Sequence, residues 1–87
     1  MVTSKEVFSE LKRITAKLLR LPIEEIEGIA HTESDLKDDL GIDSVESLDL
    51  LHALEAVYQI EISDEEAARL VKISDVIDLV IEKVGGV

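Results

Sequence analysis

The 87-residue chain contains no cysteine and no tryptophan, only one proline, and only two aromatic residues, Phe8 and Tyr58. Without cysteine it can form neither disulfides nor thiolate metal sites. Because aromatic residues are so scarce, a hydrophobic core must consist almost wholly of Leu, Ile and Val. No apolar run approaches the ~20 residues that cross a bilayer. The first six residues also lack the apolar run of a signal peptide, so we expect a cytoplasmic protein without stable membrane insertion.

Positive charge is also scarce over most of the chain. The formal net charge is −11, but it divides unevenly, with a net of +3 over residues 1–22 and −14 over residues 23–87. So acidic a surface repels nucleic-acid phosphates and anionic lipids, and it speeds encounter with basic protein surfaces. The charge therefore argues against nucleic-acid binding and favours basic protein partners.

The length and composition predict one soluble globular domain over residues 1–87. Hydrophobic residues make up 46% and charged residues 33% of the chain, which is typical of folded rather than disordered proteins. A chain this short holds one core and leaves little room for a deep enzyme cleft.

Apolar spacing predicts an all-α fold, a small bundle of three main helices and one short helix. The main helices are expected at Ser4–Leu19, at Ser44–Tyr58, and from Ser74 to the Gly85-Gly86 pair. The short helix is expected at Asp64–Leu70, after an extended connector at Gln59–Ile62. Residues 23–41 read as a long connecting loop with four apolar anchors: Ile26, Ile29, Leu36 and Leu40.

The Ser44–Tyr58 helix has two different faces. Asp43 and Glu46 form a capping-box pattern at its start, and one face gathers the predicted core residues Leu50, Leu51, Leu54, Val57 and Tyr58. The opposite face holds Ser44 among acidic side chains, yet it also carries Val45 and Leu48. Apolar residues ringed by carboxylates are typical of a transient docking surface.

The segment Asp39-Leu40-Gly41-Ile42-Asp43-Ser44, followed by Glu46, Leu50 and Leu54-Glu55, resembles the signature of the acyl carrier protein family. The resemblance continues through residues 58–67 and covers nearly the whole chain. It implies a non-enzymatic carrier in fatty acid, lipid or polyketide-type biosynthesis. Ser44 would hold 4′-phosphopantetheine through a phosphodiester, and acyl groups would be bound to its thiol as thioesters.

The resemblance also implies partners and a docking face. A phosphopantetheinyl transferase would modify Ser44, and acyl-transferring and chain-extending enzymes with basic patches would then dock. The predicted docking residues are Asp43, Val45, Glu46, Leu48, Asp49, His52 and Glu55. We expect a monomer, no catalytic residue and no metal site. The carboxylates of Asp43 and Glu46 are expected to hold the arm away from the surface.

Some residues depart from the family pattern. Val45 replaces the usual leucine after the serine, and His52 stands where an apolar residue is common. The loop from Glu24 to Asp38 is a few residues longer than in the common fatty-acid form. These departures favour a specialised carrier. An acyl chain could enter the core, where the candidate lining residues are Leu50, Leu54, Ile62, Leu70 and Ile77.

The sequence leaves two alternatives open. An aminoacyl or D-alanyl carrier would use Ser44 in the same way and differ only in its cargo. An unmodified acidic helical adaptor would use the Val45–Leu48–Asp49 face and would be indifferent to Ser44→Ala. An enzyme is disfavoured because no histidine is evidently placed to act as a base for Ser44.

Overall fold

The computed structural model describes residues 2–85, which form five helices. They are α1 (Ser4–Leu19), α2 (Ile23–Ile29), α3 (Ser44–Tyr58), α4 (Asp64–Ala68) and α5 (Ile73–Gly85). The predicted all-α fold with three main helices is confirmed, and no strand occurs within these residues. The bounds of α1 and α3 match the prediction, whereas α5 begins one residue earlier and α4 ends two residues earlier than expected.

Helix α2 corrects the prediction of an unbroken loop over residues 23–41. The carbonyl of Pro22 accepts the N–H of Glu25 at 3.0 Å, and Glu24 and Glu25 place negative charge near the positive end of the helix dipole. Its one buried residue is Ile26. Ile29, predicted to be an apolar anchor, is instead 45% exposed, because it lies at the last turn of this helix and faces away from the bundle.

Helix α1 lies at the centre of the bundle and packs against α2, α3 and α5, while α3 also packs against α5. The core is aliphatic, as the composition predicts. The side chains that are fully buried at 0% exposure are Val7, Leu11, Ile26, Leu50, Leu54, Ile73, Val76 and Val80, together with Thr15. Thr15 satisfies its hydroxyl by donating to the Leu11 carbonyl at 2.8 Å. Val57, which the helical spacing places in the core, is 48% exposed because it lies at the edge of the buried face.

The loop between α2 and α3 is anchored rather than free. Leu36 N–H donates to the Val71 carbonyl at 2.9 Å, and Ile73 N–H donates to the Ser34 carbonyl at 3.0 Å. These bonds pair the loop with the connection between α4 and α5. The side chains of Leu36, Leu40 and Ile42 are each 5% exposed or less. The loop is therefore built into the bundle immediately before α3.

Two carboxylates secure the chain around α4. Ser63 and Glu66 form a capping box, and the Glu66 carboxylate also lies 3.0 Å from the Lys83 ammonium of α5. The Ser63 N–H and then Lys83 hold the pKa of Glu66 below its ordinary value. In the first turn of α5, the Asp75 carboxylate accepts the N–H groups of Lys72 at 2.9 Å and Val71 at 3.1 Å, which lowers its pKa.

Candidate functional site

Ser44 is the first residue of α3, and a turn and a cap fix its position. Gly41 has a φ of +72°, a left-handed backbone conformation that glycine adopts without strain. Ile42 then enters the core at 3% exposure. The chain therefore reverses at Gly41, is anchored at Ile42, and begins the helix with an exposed Ser44.

The predicted capping box at the start of α3 is confirmed. Glu46 N–H donates to Asp43 Oδ1 at 2.8 Å, and Asp43 N–H donates to Glu46 Oε1 at 3.1 Å. Each carboxylate accepts one backbone N–H at the start of α3. Both side chains therefore stabilise the helix start in addition to adding negative charge to the surface. The N-terminus of α3 is thereby held rigid, and its dipole favours negative charge beside Ser44.

The predicted docking residues form one outward surface, which we call the α3 outer face: Asp43, Val45, Glu46, Leu48, Asp49, His52 and Glu55. Val45 is 68% exposed and Leu48 49% exposed, which leaves two large apolar side chains in water. Asp43, Asp49 and His52 are exposed, whereas Glu46 and Glu55 are half-buried. Exposed apolar side chains bordered by carboxylates are what a partner with a basic rim would bury.

Glu55 has a second role that sequence reasoning missed. Its Oε2 accepts the N–H of Ile62 at 2.8 Å, seven residues further along the chain. The bond ties the connector between α3 and α4 back to α3. Its carboxylate therefore stabilises the fold as well as contributing charge to the outer face.

Two open depressions meet at Ser44. One, of about 370 Å³, extends towards the loop before α3 and the residues Leu70 and Val71 after α4. The other, of about 350 Å³, lies between α3 and α4 and includes Leu48, Ala67 and Ala68. Ser44 and Ser47 line both depressions. The sequence offered no signal for this arrangement, since it depends on contacts between distant segments.

Of the predicted acyl-lining residues, only Leu70 lines these depressions. Leu50, Leu54 and Ile77 lie in the packed core at 4% exposure or less, and Ile62 is half-buried beside it. An acyl chain would therefore have to displace core side chains to reach them.

The family model described as a phosphopantetheine attachment site matches residues 9–80, a span that includes α3 and the loop before it.

The chain belongs to the phosphopantetheine-attachment family.

Membership makes it a phosphopantetheine-binding carrier rather than an enzyme. Two relatives bear the name acyl carrier protein. The protein from Campylobacter lari is 34% identical over 74 residues, covering 85% of this chain and 91% of the relative. The protein from Coprothermobacter proteolyticus is 36% identical over 76 residues, covering 87% and 88% respectively.

The described residues fit the phosphopantetheine group without any added element. Ser44 offers an exposed hydroxyl at the N-terminus of a helix, and the two depressions beside it leave space for a flexible arm. No helix within residues 2–85 is long and apolar enough to span a membrane. The same residues contain no cluster of three or more His, Asp or Glu side chains suited to a metal ion.

Proposed function

We propose that this chain carries acyl groups as thioesters on a 4′-phosphopantetheine arm attached to Ser44, in fatty acid, lipid or polyketide-type biosynthesis. The observation that carries the proposal is the exposed Ser44 at the first position of α3, within the matched family region. The relatives' shared name supports an acyl cargo over an aminoacyl or D-alanyl one.

Attachment requires a partner enzyme, a phosphopantetheinyl transferase. The Ser44 Oγ forms a bond to the phosphorus that bears the pantetheine in coenzyme A, and the P–O bond to the departing nucleotide breaks. The transferase accepts the serine proton and supplies the magnesium site. The chain contributes a hydroxyl held in place by the Asp43–Glu46 capping box, and the helix dipole stabilises the added negative charge.

When bound, the group supplies a terminal thiol that a cysteine-free chain lacks. The α3 outer face lies next to Ser44, so an enzyme that docks there through basic side chains meets the cargo. Its apolar contacts at Val45 and Leu48 contribute affinity, and its rim carboxylates mainly raise the association rate.

We further propose that residues 1–87 act as one carrier domain, as a monomer in the cytoplasm. One continuous core joins α1, α3 and α5 in the described residues, which supports the single domain. The departures at Val45 and His52 lie on the α3 outer face, which supports a partner set of its own.

The test is intact mass after incubation with coenzyme A, magnesium and a broad-specificity phosphopantetheinyl transferase. We expect the wild-type chain to gain one phosphopantetheine and Ser44→Ala to gain none. Ser47→Ala is the matched control, because Ser47 lies on the same helix and lines the same depressions. It should be modified like the wild type.

Modification of Ser44→Ala would contradict the proposed attachment residue. A folded wild-type chain that stays unmodified, even with the transferase of its own source organism, would favour the unmodified adaptor instead.

A further inference from the structure

The larger depression beside Ser44 contains a single cationic side chain, Lys37. Three carboxylates also line it, those of Asp35, Asp38 and Asp43. The smaller depression, on the α4 side of Ser44, has no lysine or arginine among its described lining residues. The two routes that an arm on Ser44 could follow therefore differ in charge.

Three hydrogen bonds hold the backbone around Lys37 in place, and one of them is from the Gly41 N–H to the Lys37 carbonyl at 3.0 Å. Lys37 N–H donates to Asp35 Oδ1 at 2.9 Å, and the preceding Leu36 N–H donates to the Val71 carbonyl at 2.9 Å. The side chain itself is exposed, and its ammonium makes no ion pair with another residue of the described chain. Lys37 thus presents a positive charge, unpaired within the described residues, on a fixed segment of backbone.

Two of the neighbouring carboxylates already have donors. Asp35 Oδ1 accepts the N–H groups of Lys37 and Asp38, both at 2.9 Å, and Asp43 Oδ1 accepts that of Glu46. A phosphodiester on Ser44 would add a further negative charge to this depression. Apart from the N-terminus of α3, the ammonium of Lys37 is the positive group lining the depression that can offset it.

We propose that Lys37 pairs with the phosphodiester on Ser44 and directs the attached arm into the depression between the loop and Val71. This inference rests on the proposed function and deepens it by assigning the arm a resting position. It departs from the expectation that Asp43 and Glu46 hold the arm away from the protein. Val71, which is 51% exposed, and the half-buried Leu70 give the arm apolar surface in the same depression.

The experiment compares amide NMR spectra of the apo and phosphopantetheine-bearing forms, with modification first verified by intact mass. We expect attachment to shift the signals of Leu36, Lys37 and Val71 more than those of Leu48 and Ala68, which line the other depression. Lys37→Ala should reduce the shift at Val71 by a factor of about 1.4 to 5, the range expected for an exposed ion pair. High salt should have the same effect on the wild type.

Two variants complete the test. Lys37→Arg keeps the charge and should retain the shift at Val71. Lys17→Ala removes an exposed lysine from α1, with the same change in net charge, and should leave the shift unchanged.

Shifts confined to Leu48 and Ala68, or an equal shift at Val71 in Lys37→Ala, would overturn the inference while leaving attachment intact. A Ser44 that accepts no phosphopantetheine would overturn both the inference and the proposed function.

Discussion

Comparing Glu55→Ala with a neighbouring carboxylate variant tests whether Glu55 stabilises the fold, independently of the proposed docking role of the α3 outer face. The Glu55 carboxylate accepts the N–H of Ile62 at 2.8 Å in a partly buried setting. The Glu55 carbonyl also accepts the N–H of Ile60 at 3.2 Å. In Glu55→Ala the Ile62 N–H loses its acceptor, and the connector between α3 and α4 loses a bond that ties it to the bundle.

The size of the effect follows from the nature of this hydrogen bond. A bond to a charged acceptor contributes about 1.5–3 kcal/mol when it is buried. Water can partly replace this one, because Glu55 is only half-buried, so we expect a loss of about 1–1.5 kcal/mol. For a domain of this size that lowers Tm by about 4–12 °C. Glu55→Gln retains an oxygen acceptor and should lose less than half as much.

Thermal and urea unfolding followed by circular dichroism measure this loss. The matched control is Asp49→Ala, which removes an exposed carboxylate from the same face and helix. It should change the free energy of unfolding by no more than about 0.5 kcal/mol. Equal stability of Glu55→Ala and Asp49→Ala would refute the structural role of Glu55.

Three further predictions concern the core, the α3 outer face and the loss of stability at acidic pH. Leu54 is fully buried at 0% exposure, so Leu54→Ala should lower the free energy of unfolding by about 2–5 kcal/mol in urea titrations. Asp49→Lys should lower kcat/KM for the transferase most at low ionic strength, without a change in Tm. The pKa of Asp75 is lowered by the N–H groups of Lys72 and Val71. Its contribution to stability is therefore present above the unfolded-state pKa of about 4 and is lost as pH falls through the lower folded-state pKa. Urea titrations at several pH values should show that the free energy of unfolding falls less steeply at acidic pH in Asp75→Asn than in the wild type.

Each of these has an outcome that would contradict it. A loss below about 1 kcal/mol in Leu54→Ala would mean that the core collapses around the cavity. If Asp49→Lys is modified by the transferase with the same kcat/KM as the wild type at low salt, Asp49 plays no part in docking. If the free energy of unfolding of Asp75→Asn falls with acid as steeply as that of the wild type, other carboxylates govern acid unfolding.

The parts of the fold that the sequence predicted are those governed by local rules. The extent of α1 follows from the apolar spacing of Val7, Leu11 and Ile14. The helix ends at Arg20, which takes the left-handed conformation and donates its N–H to the Ala16 and Lys17 carbonyls. The start of α3 follows from Asp43 and Glu46, which satisfy each other's backbone donors.

The parts that were missed have weak local signals or depend on distant contacts. Helix α2 has seven residues and a single buried one, Ile26, so it leaves no periodic pattern to read. The bond from Leu36 to Val71 joins segments 35 residues apart and cannot be inferred from either alone. Bonds within the loop, from the Gly41 and Ile42 N–H groups to the Lys37 and Leu36 carbonyls, fold Lys37 back towards the start of α3. The depression that Lys37 shares with Ser44 is also lined by Val71 from the distant segment.

Attachment of the phosphopantetheine arm at Ser44 is the basis of the proposed function. The most direct measurement is tandem mass spectrometry of the protein isolated from its own source organism, with fragmentation that distinguishes Ser44 from the neighbouring Ser47. We expect phosphopantetheine, free or acylated, on Ser44 alone. A protein that carries the group on Ser47, or carries none in cells where other carriers are modified, would contradict the claim.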